Sequence, residues 1–295
     1  MKFTEEQLSG WAARPSQTET DRMDNAESAV KKAIAASAAL EGRSIRVFAQ
    51  GSYRNRVNVR ADSDVDIAVL CTDTFFWDGG PPGATLDSLG YGPAQYHYSD
   101  FRRDVGSALR SYFSGGTVTE GDKAFDIKSN TYRVEADVAP FFVHKRFAES
   151  GTCISGVEME PKSGGRIINW PDQHYENGIE KNKATARSYK GCVRILKALR
   201  YKMKADGYES AKSVPSFLME CLMWNVQNAQ LGSSTWIADL RASLIYLYNA
   251  TENDAGCIEW GEVSELKYLF RTAQPWTRAG ANQFIHDCWN YVGFK

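Results

Sequence analysis

Apolar positions recur along this chain with two different periods, and the switch between them divides it. Residues 16–41, SQTETDRMDNAESAVKKAIAASAALE, predict a long helix: Ser and Thr offer N-caps, acids crowd the early turns, lysines come later, and Gly42 supplies the stop. SIRVFAQ is then a short strand, and a second strand ends in the apolar run Ile67-Ala68-Val69-Leu70. Residues 72–97 are rich in Gly, Pro and aromatics and read as an irregular surface insertion without chemistry. Helical spacing returns at about 99–113 with Phe101, Val105, Leu109 and Phe113, broken by Gly115-Gly116. From 117 to 147 the pattern alternates, with turn signals at Gly121-Asp122 and Ser129-Asn130. Within it Tyr132, Val134, Ala136 and Val138 fall on one face, and Arg133, Glu135 and Asp137 on the other. Residues 151–172 read as a hairpin and connector, 173–205 as a basic helix, and 216–295 as helical throughout. The class is therefore α/β (α+β): a mixed sheet within residues 1–170, followed by a helical domain over 171–295.

Composition narrows this picture a little. A chain of 295 residues with 43% hydrophobic and 24% charged residues can bury an ordinary core. A net charge of −1 argues against a surface that grips duplex nucleic acid everywhere, while leaving room for a local basic groove. No apolar run reaches membrane-spanning length, and MKFTEEQLSGW lacks the apolar segment of a signal peptide. The six cysteines are scattered without a Cys-x-x-Cys pair, which fits a reducing cytoplasm rather than a disulfide framework or a zinc site. His97, His144, His174 and His286 show no metal-ligand spacing and read as structural or exposed.

Candidate chemistry concentrates in residues 50–70, QGSYRNRVNVRADSDVDIAVL. Asp64 and Asp66, two apart on a strand, project to the same face and repel each other unless a cation sits between them. Magnesium, a hard ion usually shared with substrate phosphates, is the natural candidate. Gly51-Ser52, eleven residues upstream of Asp64, lets backbone approach closely and offers N–H groups and a hydroxyl to an anion. Singly, an Asp-x-Asp is a solvated strand end and a Gly-Ser is a turn; together they point to nucleotide chemistry. A second stretch carries Lys183, Arg187, Lys190, Arg194 and Lys197 as one helical stripe, with Tyr189, Val193, Leu196 and Leu199 on the apolar side and no acid between 181 and 204. Such a stripe is most often a solvated face, but cations also serve a leaving pyrophosphate.

Gly-Ser followed by Asp-x-Asp resembles the catalytic signature of the DNA polymerase β-like nucleotidyltransferases. The longer string resembles the CD-NTases, the cyclic-oligonucleotide synthases of bacterial anti-phage signalling related to cyclic GMP-AMP synthase and oligoadenylate synthase. The resemblance implies a polymerase β-like core with a mixed sheet, a C-terminal helical domain, and the N-terminal helix as a spine joining them. It makes Asp137, ahead of Glu135, the third carboxylate beside Asp64 and Asp66, the three holding two Mg²⁺ ions for which Mn²⁺ can substitute. Gln50, Gly51 and Ser52 would meet the donor triphosphate, together with Lys197, Lys190 in second place, and Ser216 in VPSFLMECLMWNV. Phe217 either stacks on a base or packs the helix start; Trp170, Asn169 and Arg166 are core or loop residues, with Asn169 the best-placed base contact.

The implied activity is condensation of nucleoside triphosphates into a cyclic di- or trinucleotide that acts on a separate effector. The same resemblance leaves room for a regulatory protein partner. Activation by duplex DNA is not expected, because the zinc-bearing thumb it needs has no Cys/His cluster here. Two alternatives stand beside this: nucleotidyl transfer to an RNA end, protein or small molecule, and a non-catalytic nucleotide or RNA binder.

Overall fold

The computed structural model describes residues 1–59, 64–113, 116–271 and 274–295. Gly115, named above as a helix breaker, and residues 60–63 of the 50–70 stretch lie outside the described residues. Helices α1 (Glu5–Ala12) and α2 (Gln17–Ala35) open the chain, followed by strand β1 (Ile45–Ala49), the short helix α3 (Gly51–Arg54) and strand β2 (Val65–Gly79). Helix α4 (Tyr98–Tyr112) precedes β3 (Val118–Glu120), β4 (Phe125–Ile127), β5 (Ala136–Phe147), β6 (Cys153–Met159) and β7 (Ile167–Asn169). The rest is helical: α5 (Pro171–Ala184), α6 (Ser188–Ala205), α7 (Glu209–Ser213), α8 (Ser216–Asn225), α9 (Trp236–Thr251) and α10 (Arg278–Val292). None of the described helices is long and apolar enough to cross a membrane.

The chain forms two units. Ser16–Arg54 and Arg60–Pro171 make a sheet unit; Met1–Pro15, Asn55–Val59 and Asp172–Lys295 make a helical unit. The first fifteen residues and a short piece of the 50–70 stretch group with the helices.

In the sheet unit seven strands run in the order β1-β2-β5-β4-β3, with β6 on β5 and β7 on β6. Only β2 and β5 are parallel; the other pairs are antiparallel. One edge of β5 is shared end to end: Ala136–Val138 pair with β4 and Phe142–Phe147 with β6. The core beneath combines Met23, Ala26 and Val30 of α2, Phe101, Val105 and Leu109 of α4, and Ile67, Val69 and Phe141 of the sheet. Helix α2 begins at Ser16, whose side chain and that of Glu19 form a reciprocal capping box, and it ends at Ala35, earlier than expected.

Two further expectations are corrected, and one element is new. The surface insertion does not begin at 72, because after a bulge between Cys71 and Phe75 the chain resumes pairing through Gly79. The Gly and Pro density that breaks a strand starts only at Gly79-Gly80-Pro81-Pro82. Tyr132 does not share the buried face of Val134, Ala136 and Val138; it is 76% exposed. Asn130 Oδ1 accepts the backbone N–H groups of Tyr132 and Arg133, folding this segment as a turn before β5. Helix α1 was not anticipated, although Thr4-x-x-Gln7 is a capping box that announces it.

The helical unit packs Leu8 of α1 with Tyr189, Leu196 and Leu199 of α6, Leu218 and Leu222 of α8, Leu244 of α9, and Phe284 and Ile285 of α10. The basic stretch 173–205 is two helices rather than one, because Ala186 and Arg187 adopt positive φ (49° and 69°) between α5 and α6. Helicity after 216 is likewise interrupted: residues 226–235 and 252–277 contain short 3₁₀ turns and one β-bridge, Gly261 to Tyr268.

Candidate active site

Sheet register does for the carboxylates what spacing alone could not. Asp66 on β2 is the register partner of Asp137 on β5, and Asp137 is the partner of Asp126 on β4. Directly opposed residues on neighbouring strands share a face, so these acids form a row across three strands, about 4.8 Å from strand to strand. Asp64 lies just before β2 and is close enough for its charge to act on Asp137. Burial, then the charges of Asp66, Asp126 and Asp64 and a hydrogen bond with Asp126, push the Asp137 carboxyl up to about 6. Glu135, the competing candidate, is exposed and contributes its backbone carbonyl, which accepts the Val65 N–H (3.0 Å).

The Gly-Ser turn meets this row. Gly51 adopts φ +63°, and a Cβ built there would stand 2.2 Å from Asp66 Oδ2, so only glycine fits against that carboxylate. The Gln50 N–H donates to the Asp66 carbonyl (2.8 Å), tying the end of β1 to the start of β2. Helix α2 braces the turn: Glu27 Oε2 accepts the Ala49 N–H (3.1 Å), and the Tyr53 hydroxyl donates to Asp24 Oδ1 (2.7 Å).

Among the described residues, no group of three or more His, Cys, Asp or Glu side chains is already gathered as the ligands of one ion. The chemistry of the row nonetheless suits a hard divalent cation. Its donors are all carboxylate oxygens, and their mutual repulsion is visible in the raised Asp137. Asp126 escaped the sequence reading; its signal is a single acid between two buried apolar residues in Phe125-Asp126-Ile127.

The helical unit resolves the basic stripe into three kinds of residue. Lys183 is exposed and paired with Glu180 (2.7 Å), and Arg187 is exposed at the start of α6, as solvated residues should be. Lys190, Arg194 and Lys197 are not solvated: residues 188–197 are all buried. Arg194 is structural, its Nε donating to the Ala12 carbonyl (2.8 Å) and its Nη1 to the Arg56 carbonyl (2.5 Å). Burial pulls the Lys190 ammonium down to about 8; Glu220 opposes this, while Arg56, Arg14 and Arg194 add to it.

Ser216 is the first residue of α8, half-buried, and one turn later comes Glu220, fully enclosed. Glu220 Oε1 lies 2.9 Å from His174 Nε2 on α5. Burial alone would raise this carboxyl, but His174, Lys197 and Lys190 together hold it below the ordinary carboxylate range. Phe217, 38% exposed, packs on His174 (ring centroids 5.7 Å) and Trp276 (5.9 Å), leaving part of its ring open. His174, read in the sequence as structural or exposed, is buried against Glu220, which the sequence reading did not single out because it is a lone acid in an apolar helix.

At the far end of the sheet unit, Trp170 is buried with the Arg146 guanidinium 4.2 Å over its ring. Arg166 is bidentate to buried Glu158, through Nη2 (2.8 Å) and Nε, and His144 Nδ1 approaches the same carboxylate (2.7 Å). Trp170 and Arg166 are thus anchors, and Asn169 stands exposed at the end of β7.

Comparison with known proteins gives a concordant picture. Residues 176–293 match the model of the cGAS/DncV-like nucleotidyltransferase C-terminal helical domain. The chain is 40% identical to the cyclic dipyrimidine nucleotide synthase CdnE of Cecembia lonarensis, over 99% of both chains. It is 38% identical to the enzyme of the same name from Legionella pneumophila, over 96% of this chain and 95% of that one. The structure of the Elizabethkingia meningoseptica CdnE cyclic dinucleotide synthase with GTP and Apcpp superposes with a TM-score of 0.84 at 35% identity, covering 99% of this chain and all of that one. With such identity along its whole length, this chain belongs to the CD-NTases, the cGAS/DncV-like nucleotidyltransferase family.

Proposed function

We propose that this chain condenses two nucleoside triphosphates into a cyclic dinucleotide by divalent-metal phosphoryl transfer, as a signal in bacterial anti-phage defence. The observation that carries the chemistry is the register row Asp66–Asp137–Asp126 facing Gly51. Mg²⁺ held by Asp64, Asp66 and Asp137 would lower the pKa of the acceptor hydroxyl and neutralise charge on the triphosphate. Asp137, ionised above about pH 6, takes the hydroxyl proton as its oxygen bonds to the α-phosphorus. The bond from that phosphorus to the bridging oxygen breaks, and pyrophosphate leaves with the electron pair. Gln50, Gly51 and Ser52 hold the donor phosphates, and Lys190, Lys197 and Ser216 bear the growing negative charge. Repeating the step on the linear intermediate closes the ring.

The product would act on a separate effector, with no part for duplex DNA and with room for a regulatory protein. The ring of two nucleotides follows relatives named for dipyrimidine and dinucleotide products. Base identity is left to the test, because two of these relatives are named for pyrimidines and the third was solved with GTP.

The test is incubation of the purified chain with all four labelled triphosphates and Mg²⁺ or Mn²⁺, followed by phosphatase and mass spectrometry. A phosphatase-resistant product that disappears in the Asp64→Asn/Asp66→Asn variant supports this reading and names the bases. A linear or acceptor-linked product would instead assign transfer to an RNA end, protein or small molecule. Metal-independent RNA binding, unchanged by Asp64→Asn, would favour a non-catalytic binder.

A further inference from the structure

Residues 80–97, between β2 and α4, are anchored to the sheet unit. The Tyr91 N–H donates to the Leu86 carbonyl (2.8 Å), the Lys145 ammonium donates to the Tyr91 hydroxyl (3.0 Å), and the Tyr91 ring meets Phe75 edge-on with centroids 4.8 Å apart. This segment and β2 border a cavity of about 440 Å³, a volume within the range of small-molecule sites. Phe76, Tyr98 and Phe142 line it as a mutually packed trio, with centroids 5.5, 5.5 and 6.0 Å apart. Leu86, Ala94 and Tyr96 line it from the insertion. The hydroxyls of Tyr96 and Tyr98 are satisfied by Asp104 Oδ2 (2.8 Å) and the Pro140 carbonyl (2.9 Å), so a ligand would meet their rings. Asp137 and Phe142 are five residues apart on β5 and therefore point to opposite faces of the sheet. The cavity lies across the sheet from the acidic row.

Its charged lining is one acid and one arginine, Glu160 and Arg166. The β6–β7 register pairs Glu158 with Ile168 and Met159 with Ile167, so Glu160 and Arg166 are the next positions and stand opposite each other. They share the face of Glu158, which is itself the partner of Phe142. Arg166 is held in place because Nε and Nη2 donate to Glu158, which leaves Nη1 for a ligand, and its guanidinium lies 5.7 Å from the Phe76 ring centroid. An aromatic wall with a carboxylate and a fixed guanidinium at its edge suits a flat heterocycle that offers both donors and acceptors. Among the four common bases only guanine sets two adjacent N–H groups, N1 and N2, beside a carbonyl. The carboxylate would accept the two N–H groups and the guanidinium would donate to O6 or N7. We propose that this cavity is a second nucleotide site, selective for a guanine base and separate from the catalytic one. A nucleotide held there is not one of the reacting pair.

The test is calorimetric titration of the full chain, in EDTA, with GMP, AMP, UMP and CMP, none of which has a pyrophosphate to lose. GMP should bind at least about ten-fold more tightly than the other three. Glu160→Gln, at an exposed position that leaves the fold alone, should weaken GMP about ten-fold or more, because it replaces a charged acceptor with an amide. Phe76→Ala should weaken it as well, with a thermal melt to show that the variant is folded. Lys190→Ala and Ser216→Ala should leave GMP binding unchanged, since the proposed triphosphate groups take no part in it. Cyclic di-GMP separates two sources of the same base: tighter binding than GMP assigns the site to the product and weaker binding to a free nucleotide, and either supports the proposal. No binding at millimolar GMP, or equal binding of all four monophosphates, overturns it. So does GMP binding that survives Glu160→Gln and is lost in Lys190→Ala, because the catalytic site then accounts for all of it.

Discussion

The two units handle crowded like charges in opposite ways. In the sheet unit, acids are set side by side across β2, β5 and β4. The cost appears as a carboxyl raised to about 6. In the helical unit, Lys190 and Lys197 are buried more deeply than Asp137, and Glu220, which His174 meets at 2.9 Å, lies within range of their charges. On the proposed reading, a divalent ion would complete the acidic row. On the same reading, Lys190 and Lys197 would meet an incoming polyphosphate.

The largest effect should come from neutralising the acidic row. Asp66→Asn or Asp137→Asn should lower turnover by at least about 10²- to 10³-fold in the labelled-triphosphate assay. Asp137→Asn should at the same time raise the melting temperature of metal-free protein near pH 8. The sign follows from the direction of the shift: a carboxyl raised in the folded state costs stability above its folded pKa of about 6, and the cost fades once it is protonated. The stabilisation should therefore shrink as the melt is repeated toward pH 5. A variant that loses both activity and stability at pH 8 would break the comparison, because the row would then be holding the sheet together.

Gly51→Ala comes next. It forces φ +63° on a residue with a Cβ and drives that carbon to 2.2 Å from Asp66 Oδ2, so stability should fall by about 1–3 kcal/mol in urea melts and activity with it. The pH profile of turnover sharpens the contrast more gently. An acid limb near pH 6 belongs to Asp137 and an alkaline limb near pH 8 to Lys190, one from each unit. Raising the metal concentration should move the acid limb to lower pH and leave the alkaline one alone. The smallest effect separates Lys183 from its neighbours on the former stripe. Lys183→Ala, at an exposed i,i+3 pair with Glu180, should change stability by less than about 0.5 kcal/mol. Arg194→Ala, which strips two backbone carbonyls of a charged donor, should cost about 1.5–3 kcal/mol with no change in KM.

These contrasts also mark what the residues alone could say. A strand's period of two is short and strict, so Asp66 and Asp137 could be put on their strands from spacing and resemblance, although Asp64 falls just before β2 rather than on it, and the mixed sheet with helices after it was legible in the alternation. Register was not. Nothing local to Phe125-Asp126-Ile127 says that its acid lies opposite Asp137, because β4 meets β5 across a turn whose pairing only the fold decides. Burial of a charged helix was equally hidden. Period 3.6 assigns Lys190, Arg194 and Lys197 to one face but cannot tell a wet face from one enclosed by other helices. The break at Ala186-Arg187 was invisible for a related reason: neither residue is a glycine or proline, so a left-handed turn there carries no composition signal.

The parallel pairing of β2 with β5 has a consequence for how the molecule is made. Asp66 and Asp137 become neighbours only when a loop of about seventy residues closes, and β3 and β4 must settle beside β5 to bring in Asp126. A growing or refolding chain thus meets the repulsion of the row when the sheet is assembled, not in any local hairpin. Any divalent ion captured by the row favours that closure over its reversal, so binding free energy reappears as folding free energy of the sheet unit. If the row holds a metal as proposed, metal availability would set how much of the sheet unit stays assembled.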